Sequence, residues 1–240
     1  MLTRAKYAIN GVPITTPDHY LGEGVESFHS QSDLLMPDFE TAYRSTVAAV
    51  GNDFGIPQRM RLLAWAGQQA LAANPAACFV EFGTGRGFSM YFLLSYLAQH
   101  NLHPQLFMFD TFSDDLSAEA KARGAISAGR DFYADSCAQV SERFSGFAGT
   151  KLVVGSLPET LDRISLPRVG LAHIDLNDGR AEVETLDRVW PNLVSGALVV
   201  LDDFANRGRS AQRREVQSFF LRLGLPVLST PQGQGLAIKP

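Results

Sequence analysis

The segment Phe79-Val80-Glu81-Phe82-Gly83-Thr84-Gly85-Arg86-Gly87-Phe88-Ser89 constrains the fold more than any other. An apolar run carrying one carboxylate ends in a glycine-rich turn. The helical pattern of Met90-Tyr91-Phe92-Leu93-Leu94-Ser95-Tyr96-Leu97 follows at once. This is the strand–turn–helix unit that opens a nucleotide-binding α/β domain. Glycine lets a backbone turn sharply and approach a ligand closely. A helix N-terminus adds free N–H groups and the positive end of its dipole. The glycines alone do not choose a ligand; the rest of the chain has to.

Five short apolar runs alternate with helical stretches: Cys78–Phe82, Leu106–Asp110, 151–154, 169–175 and 197–201. Near-continuous apolar strands separated by helices mean a parallel sheet covered on both faces. Two further runs, 226–229 and 236–239, flank Thr230-Pro231-Gln232-Gly233-Gln234-Gly235 and read as a hairpin, which brings one antiparallel strand into the sheet. Upstream, helical spacing covers 38–50 through Phe39, Tyr43, Val47 and Val50. It covers 57–73 with Met60, Leu62, Leu63, Trp65, Ala66 and Leu71 facing inward and Pro57 in the first turn. Residues 1–37 carry Gly11, Pro13, Pro17, Gly22 and Gly24 as breakers and are expected to form an irregular arm with little structure of its own. The expected fold is α/β and Rossmann-like: a doubly wound, mostly parallel seven-stranded sheet with an antiparallel C-terminal hairpin strand and an N-terminal helical extension. Residues 1–75 are read as arm and helices of the same domain, a lid or homodimer contact, and 76–240 as the ligand-binding part.

Composition narrows the function classes. The chain has 240 residues, 45% of them apolar, and a net charge of −4, so it lacks the basic surplus of a nucleic-acid binder. Its two cysteines, Cys78 and Cys137, allow neither a disulfide framework nor a cysteine zinc site. No apolar run reaches the ~18 residues of a membrane span, and the start, Met1-Leu2-Thr3-Arg4-Ala5-Lys6, lacks a signal-peptide core. A cytoplasmic location is expected.

Ligands of open α/β sheets sit beyond the carboxyl ends of the strands. Four of the five parallel strands end in acid here: Glu81, Asp110, Asp175 and Asp202-Asp203. Any one of them reads equally well as a helix cap; four at one sheet edge read as a site. Asp110, ending the second strand, is placed to accept from both hydroxyls of a ribose, which suits NAD and S-adenosylmethionine alike. The loop separates the two. A carboxylate leading into it, Glu81, repels a pyrophosphate but suits a ligand with an amino group and a sulfonium. Asp175, Asp202 and Asp203 together suit a hard cation such as Mg²⁺, which would hold a substrate hydroxyl and acidify it. The alternative is that Asp202 or Asp203 caps the next turn and holds no metal.

With these residues in view, the sequence resembles the class I S-adenosylmethionine-dependent methyltransferases, and within them the macrocin O-methyltransferase family, over roughly residues 38–240. The similar stretches are Val80–Ser89, Phe109-Asp110-Thr111-Phe112, Gly155-Ser156-Leu157-Pro158-Glu159-Thr160-Leu161, Leu198–Phe204 and the tail Pro231–Lys239. The resemblance implies O-methylation of a hydroxyl on a sugar or other small-molecule natural product, with residues 76–240 as the methyltransferase domain. It implies S-adenosylmethionine contacts from Glu81, Gly83, Thr84, Gly85, Arg86, Ser89, Asp110, Thr111, Phe112, Gly155, Ser156 and Asp175. It also implies magnesium on Asp175, Asp202 and Asp203.

One departure matters. The sugar methyltransferases carry a second Asp after the fourth strand as general base; here the stretch is Asp175-Leu176-Asn177-Asp178-Gly179. Neutral Asn177 is no proton acceptor, although one branch of the family carries Asp-x-Asn there. Asp178 is one residue out of register. Asp175, Asn177 and His173 are therefore the candidate catalytic residues, His173 by type only, since a His in an apolar strand is more often a satisfied core residue. Arg86 reads as a partner of the methionine carboxylate or of Glu81. Arg207 and Arg209 read as a solvated helix face or as binders of an anionic substrate group. Gln232 and Gln234 read as a plain turn or as lining a substrate entrance. The expected partner is a small-molecule acceptor, with no nucleic acid and no membrane. A non-catalytic S-adenosylmethionine-binding protein and an NAD-dependent oxidoreductase are the competing readings.

Overall fold

The computed structural model describes residues 8–9, 12–13, 20–27, 29, 36–112 and 135–240. Its strands are β1 (Ala8–Ile9), β2 (Val12–Pro13), β3 (Tyr20–Gly22), β4 (Val25–Ser27), β5 (Cys78–Phe82), β6 (Leu106–Asp110), β7 (Thr150–Val154), β8 (Val169–Ile174), β9 (Leu193–Leu201), β10 (Leu228–Ser229) and β11 (Gly235–Ile238). Its helices are α1 (Pro37–Val50), α2 (Pro57–Ala73), α3 (Phe88–Gln99), α4 (Cys137–Arg143), α5 (Gly179–Val189) and α6 (Ser210–Arg222). Seven strands form one sheet in the order β10-β11-β9-β8-β5-β6-β7. All pairs are parallel except those of β11, which runs antiparallel to β9 and β10. The doubly wound, mostly parallel sheet with its antiparallel C-terminal hairpin is as expected.

Alternation along the strands builds two cores. Phe79, Met108, Leu171, Val200 and Leu236 face one way and pack with Phe39, Met60, Leu63, Phe92 and Leu93 of α1, α2 and α3. Val80, Phe82, Phe109, Ala172, Ile174 and Val199 face the other way and pack with Leu186, Val189, Val216, Phe219 and Phe220 of α5 and α6. Burying each large apolar side chain contributes about 1.5–3 kcal/mol, so both layers are held along the length of the sheet. Both α1 and α2 start on a proline, which needs no intrahelical N–H partner in the first turn.

The sheet also fixes the site. From β5 the chain steps outward to β6 and β7, then returns to pair β8 on the other side of β5. The order reverses there, and in open α/β sheets ligands bind at such a point, beyond the carboxyl ends of the strands, here β5 and β8.

Two expectations are corrected, and the arm gains detail: among its described residues β1 pairs β2 and β3 pairs β4, both antiparallel. Each pairing is too short to show as a periodic run. Trp65 does not face the core but is 45% exposed, on the outer side of α2. The fifth parallel strand starts at Leu193, earlier than its apolar run. Ser195-Gly196 reads as a break, yet Gly196 holds the strand by donating to the Lys239 carbonyl at 2.8 Å.

Candidate functional site

The glycine loop lies against the loop after β8. Gly83 has φ +90°, and a Cβ there would stand 2.0 Å from the Asp175 carbonyl oxygen. Only glycine serves at such a conformation and clearance. Gly87, at φ +77°, caps the N-terminus of α3, and Ser89 lies half-buried in that first turn. Gly85 N–H donates to Asp110 Oδ2 and Phe112 N–H to Asp110 Oδ1, both at 2.8 Å. A carboxylate offers about four lone-pair sites, so each oxygen keeps acceptor capacity for a ribose hydroxyl. Gly155, at the end of β7, donates its N–H to the Asp110 carbonyl at 3.0 Å, which brings Gly155 and the exposed Ser156 to the same edge. Thr111 is exposed beside Asp110 and Phe112 is half-buried against the helical core. The glycine cradle, the helix N-terminus and Asp110 together fit S-adenosylmethionine.

Two residues of that set do something else. Thr84 is buried, with its hydroxyl 3.5 Å from the Phe109 carbonyl, and acts inside the loop. Arg86 Nε lies 3.5 Å from Asp135, which Arg143 also holds at 2.6 Å. The Asp135 partner lies too far along the chain for local spacing to reveal it.

Period-two alternation puts Glu81, His173 and Asp202 on the α2 side of three adjacent strand ends. His173 Nδ1 lies 3.1 Å from Glu81 Oε1, and its Nε2 lies 3.6 Å from Asp202 Oδ1. His173 and Glu81 are each 1% exposed. Burial opposes charge on the imidazole, but the Asp202 and Glu81 carboxylates outweigh it and push its pKa up to about 10. His173 is thus enclosed between two carboxylates, of which Glu81 is itself held above the usual carboxylate range by burial. It ties the cofactor-side strand to the acceptor-side strand.

Beyond it lies the acidic end of β9. Burial opposes ionisation of Asp202, but His173, Arg59 and Gln234 hold its carboxyl below the usual range. Gln234 is fully buried and donates to Asp202 Oδ1 at 2.9 Å, so it is neither a plain turn residue nor an entrance lining. Arg59, in the first turn of α2, reaches Asp202 Oδ2 at 2.5 Å and Asp203 Oδ1 at 3.5 Å. Arg209 Nε lies 2.8 Å from Asp203 Oδ2, whereas Arg207 is exposed. Among the described residues Asp175 has no ion pair. Its carboxyl is pushed well above the usual range by burial, then by Asp202 and Asp203, against the pull of His173 and Arg59.

The following loop explains the departure at Asn177. Asn177 has φ +61°, a left-handed conformation that Asn tolerates better than most residues. Asp178 is the N-cap of α5 and accepts from the N–H groups of Arg180 and Ala181 at 3.0 and 3.4 Å. Its out-of-register position is that of a cap.

A magnesium ion on Asp175, Asp202 and Asp203 would meet two carboxylates that already carry guanidinium partners. Asp202 gives one oxygen to Gln234 and the other to Arg59. Asp203 gives Oδ2 to Arg209 and Oδ1 to Asn206 at 3.3 Å. Two guanidinium groups stand where a hard cation would bind, and like charges repel strongly at such range. Among the described residues no group of three His, Cys, Asp or Glu forms a metal-holding cluster. As arranged, with Asp202 on Arg59 and Asp203 on Arg209, the carboxylates do not fit a divalent cation.

Arg59 and Glu23 are the residues beside this site that sequence reasoning missed. The carboxylate of Glu23, in the β3–β4 turn, accepts from Gln58 N–H at 2.7 Å and Arg59 N–H at 2.9 Å, and so caps α2. Pro57 marks the start of that helix, but nothing in local spacing says where the helix points.

Comparison with known proteins agrees with this geometry. A family model described as a methyltransferase domain matches residues 80–204, from β5 to just past β9. No curated protein sequence matches. Among solved structures, the chain is similar to the O-methyltransferase NovP (16% identity, TM-score 0.66, covering 76% of this chain and 80% of that one). It is also similar to CalS11, a calicheamicin methyltransferase (17%, 0.57, 85% and 93%). A third is an O-methyltransferase from Bacillus cereus in complex with SAH (14%, 0.52, 87% and 94%). At these identities the likeness is one of fold. The family model spans more than half of the chain and ends on the acids of β9, and the chain belongs to the methyltransferase-domain family.

Proposed function

We propose that this methyltransferase uses S-adenosylmethionine to methylate a hydroxyl oxygen on a small-molecule natural product or sugar. The observation that carries the reading is one sheet edge with two chemically different sides. Asp110 and the Gly83–Gly87 turn line one side, and Asp175, Asp202, Asp203, Arg59 and Arg209 line the other. The names of NovP and CalS11 support oxygen as the methylated atom and a natural-product acceptor.

Bound along the glycine loop, S-adenosylmethionine would supply an electrophilic methyl group. The chain's own part is alignment and electrostatics. Asp110 would hold the ribose, and the α3 N-terminus and the glycine backbone would hold the rest. On the acceptor side, Asp175 has no ion pair among the described residues, and burial and the neighbouring acids raise its affinity for a proton, which marks it as the candidate acceptor of the hydroxyl proton. Asn177 then has no base role to fill, and its presence does not argue for a mere binder. The arginines balance the neighbouring acids and can face an oxygen as it becomes negative.

Calorimetric titration with S-adenosylhomocysteine and, separately, NADH tests the cofactor. Binding of the first and not the second is expected; the reverse overturns the reading. Incubating the enzyme with labelled S-adenosylmethionine and a panel of sugars, catechols and amines tests the acceptor. Label transfer to amines alone sinks the oxygen assignment.

A further inference from the structure

We infer that Arg59 is the resident cation of the acceptor site, so that the enzyme works without a divalent metal. The inference rests on the methyltransferase reading of this sheet edge. Its ground is the way Arg59 is held. The Arg59 side chain is 18% exposed, and its guanidinium meets Asp202 Oδ2 at 2.5 Å and Asp203 Oδ1 at 3.5 Å. A long side chain on a free surface adopts many rotamers, but here both ends are fixed. At the backbone end, Glu23 accepts from the N–H groups of Gln58 and Arg59, and the Tyr20 hydroxyl donates to Glu23 at 2.5 Å. At the carboxylate end, Gln234 occupies the other oxygen of Asp202, which keeps Oδ2 turned to Arg59. Arg209 occupies Asp203 in the same way.

The arrangement replaces one function of a metal. A guanidinium is permanently charged and presents donors in a fixed fork. Held against Asp202, it puts positive charge on the side where an acceptor oxygen becomes negative, without needing free ligand positions. Glu23 is thus a positioning residue for Arg59: the β3–β4 hairpin sets the first turn of α2, and that turn sets the guanidinium. Removing the guanidinium leaves Asp175, Asp202 and Asp203 as an acidic cluster short of one cation, which is when a divalent ion gains a site.

The test is a titration of Mn²⁺ into the full chain, with bound metal read from the loss of the free-ion EPR signal. The proteins are wild type, Arg59→Ala, Arg59→Lys, Asp202→Asn and the double variant Arg59→Ala/Asp202→Asn. Wild type and Arg59→Lys are expected to show no saturable site, Arg59→Ala to gain one, and the double variant to lose it again. Methyl transfer by wild type is expected to be unchanged by EDTA. Transfer by Arg59→Ala is expected to fall about tenfold or more, the loss of roughly one charge-assisted contact, and to recover in part with Mg²⁺. A saturable wild-type site that Asp202→Asn abolishes overturns the inference, as does an Arg59→Ala protein that folds and still binds no Mn²⁺. If circular dichroism shows that Arg59→Ala does not fold, the comparison of wild type with Asp202→Asn decides alone. Binding of S-adenosylhomocysteine, measured on the same samples, reports separately on the methyltransferase reading.

Discussion

His173 Nδ1 lies 3.1 Å from Glu81 Oε1, and through this contact the strand that feeds the glycine loop is ionically joined to the strand that ends at Asp175. The same imidazole reaches toward Asp202, so the row spans both sides of the sheet edge. Removing one partner of a buried pair leaves an uncompensated charge and costs about 3–5 kcal/mol. His173→Gln should lose stability of that order in denaturant titration. With the imidazole buried between two carboxylates, the pH profile of methyl transfer should keep its shape; a limb present in wild type and missing in His173→Gln would give His173 a base role.

Gly83→Ala should nearly abolish cofactor binding. The new Cβ would sit 2.0 Å from the Asp175 carbonyl oxygen at φ +90°, so both loops must move. At least a hundredfold loss in S-adenosylhomocysteine affinity is expected, about 3 kcal/mol. Calorimetry showing wild-type affinity would mean that the loop is not the cofactor cradle.

Asp110→Ala removes the acceptors for ribose and also those of Gly85 and Phe112 N–H. Asp110→Asn keeps one acceptor oxygen. The expected order of affinity is wild type, Asn, Ala, with about a tenfold step at the first, equal to one hydrogen bond to a charged group. Equal affinities in fluorescence titrations of the three proteins would remove Asp110 from the site.

Glu182 supplies a pH signature. It is buried, accepts from Gln212 Nε2 at 2.8 Å, and has its pKa pushed from the ordinary 4.5 up to about 8, by burial first and by Asp175 second. Between those values the native state holds a proton that the unfolded state has released. Stability from this group is therefore fully present below 4.5 and declines as pH rises toward 8. Glu182→Gln cannot titrate, so its unfolding free energy should decline less over that window. Parallel curves for the two proteins would show Glu182 to be ionised in the fold.

Glu23→Ala removes the cap of α2. Loss of an N-terminal cap costs about 1 kcal/mol, which in a chain of this size lowers Tm by roughly 2–4 °C. Methyl transfer should fall further than stability alone requires, since Arg59 N–H loses its acceptor. A thermal shift with no change in transfer would separate the cap from the site.

Much of the fold is legible in the sequence because strand burial is local and periodic. The runs at Cys78–Phe82 and Leu106–Asp110 coincide with β5 and β6, and Pro57 marks the start of α2. Cys78, in that first run, is buried with its thiol pushed up to about 11 by burial, as a small core residue should be. The arm and Trp65 were not legible. Pairings of two or three residues leave no period, and a helix pattern does not say which margin of its apolar stripe meets the sheet.

By itself the sequence determined the parallel sheet, the glycine turn and the acids at the strand ends, for these follow from residue type at fixed spacing along one strand or turn. Only the tertiary structure decided how those acids are paired. Arg59 meets Asp202 across 143 positions of sequence, and His173 meets Glu81 across 92. Charge neutralisation depends on distance in space, and that distance is set by strand order and by the direction of α2. The sequence therefore names Asp175, Asp202 and Asp203 as a metal site, and the fold gives two of the three to guanidinium groups instead.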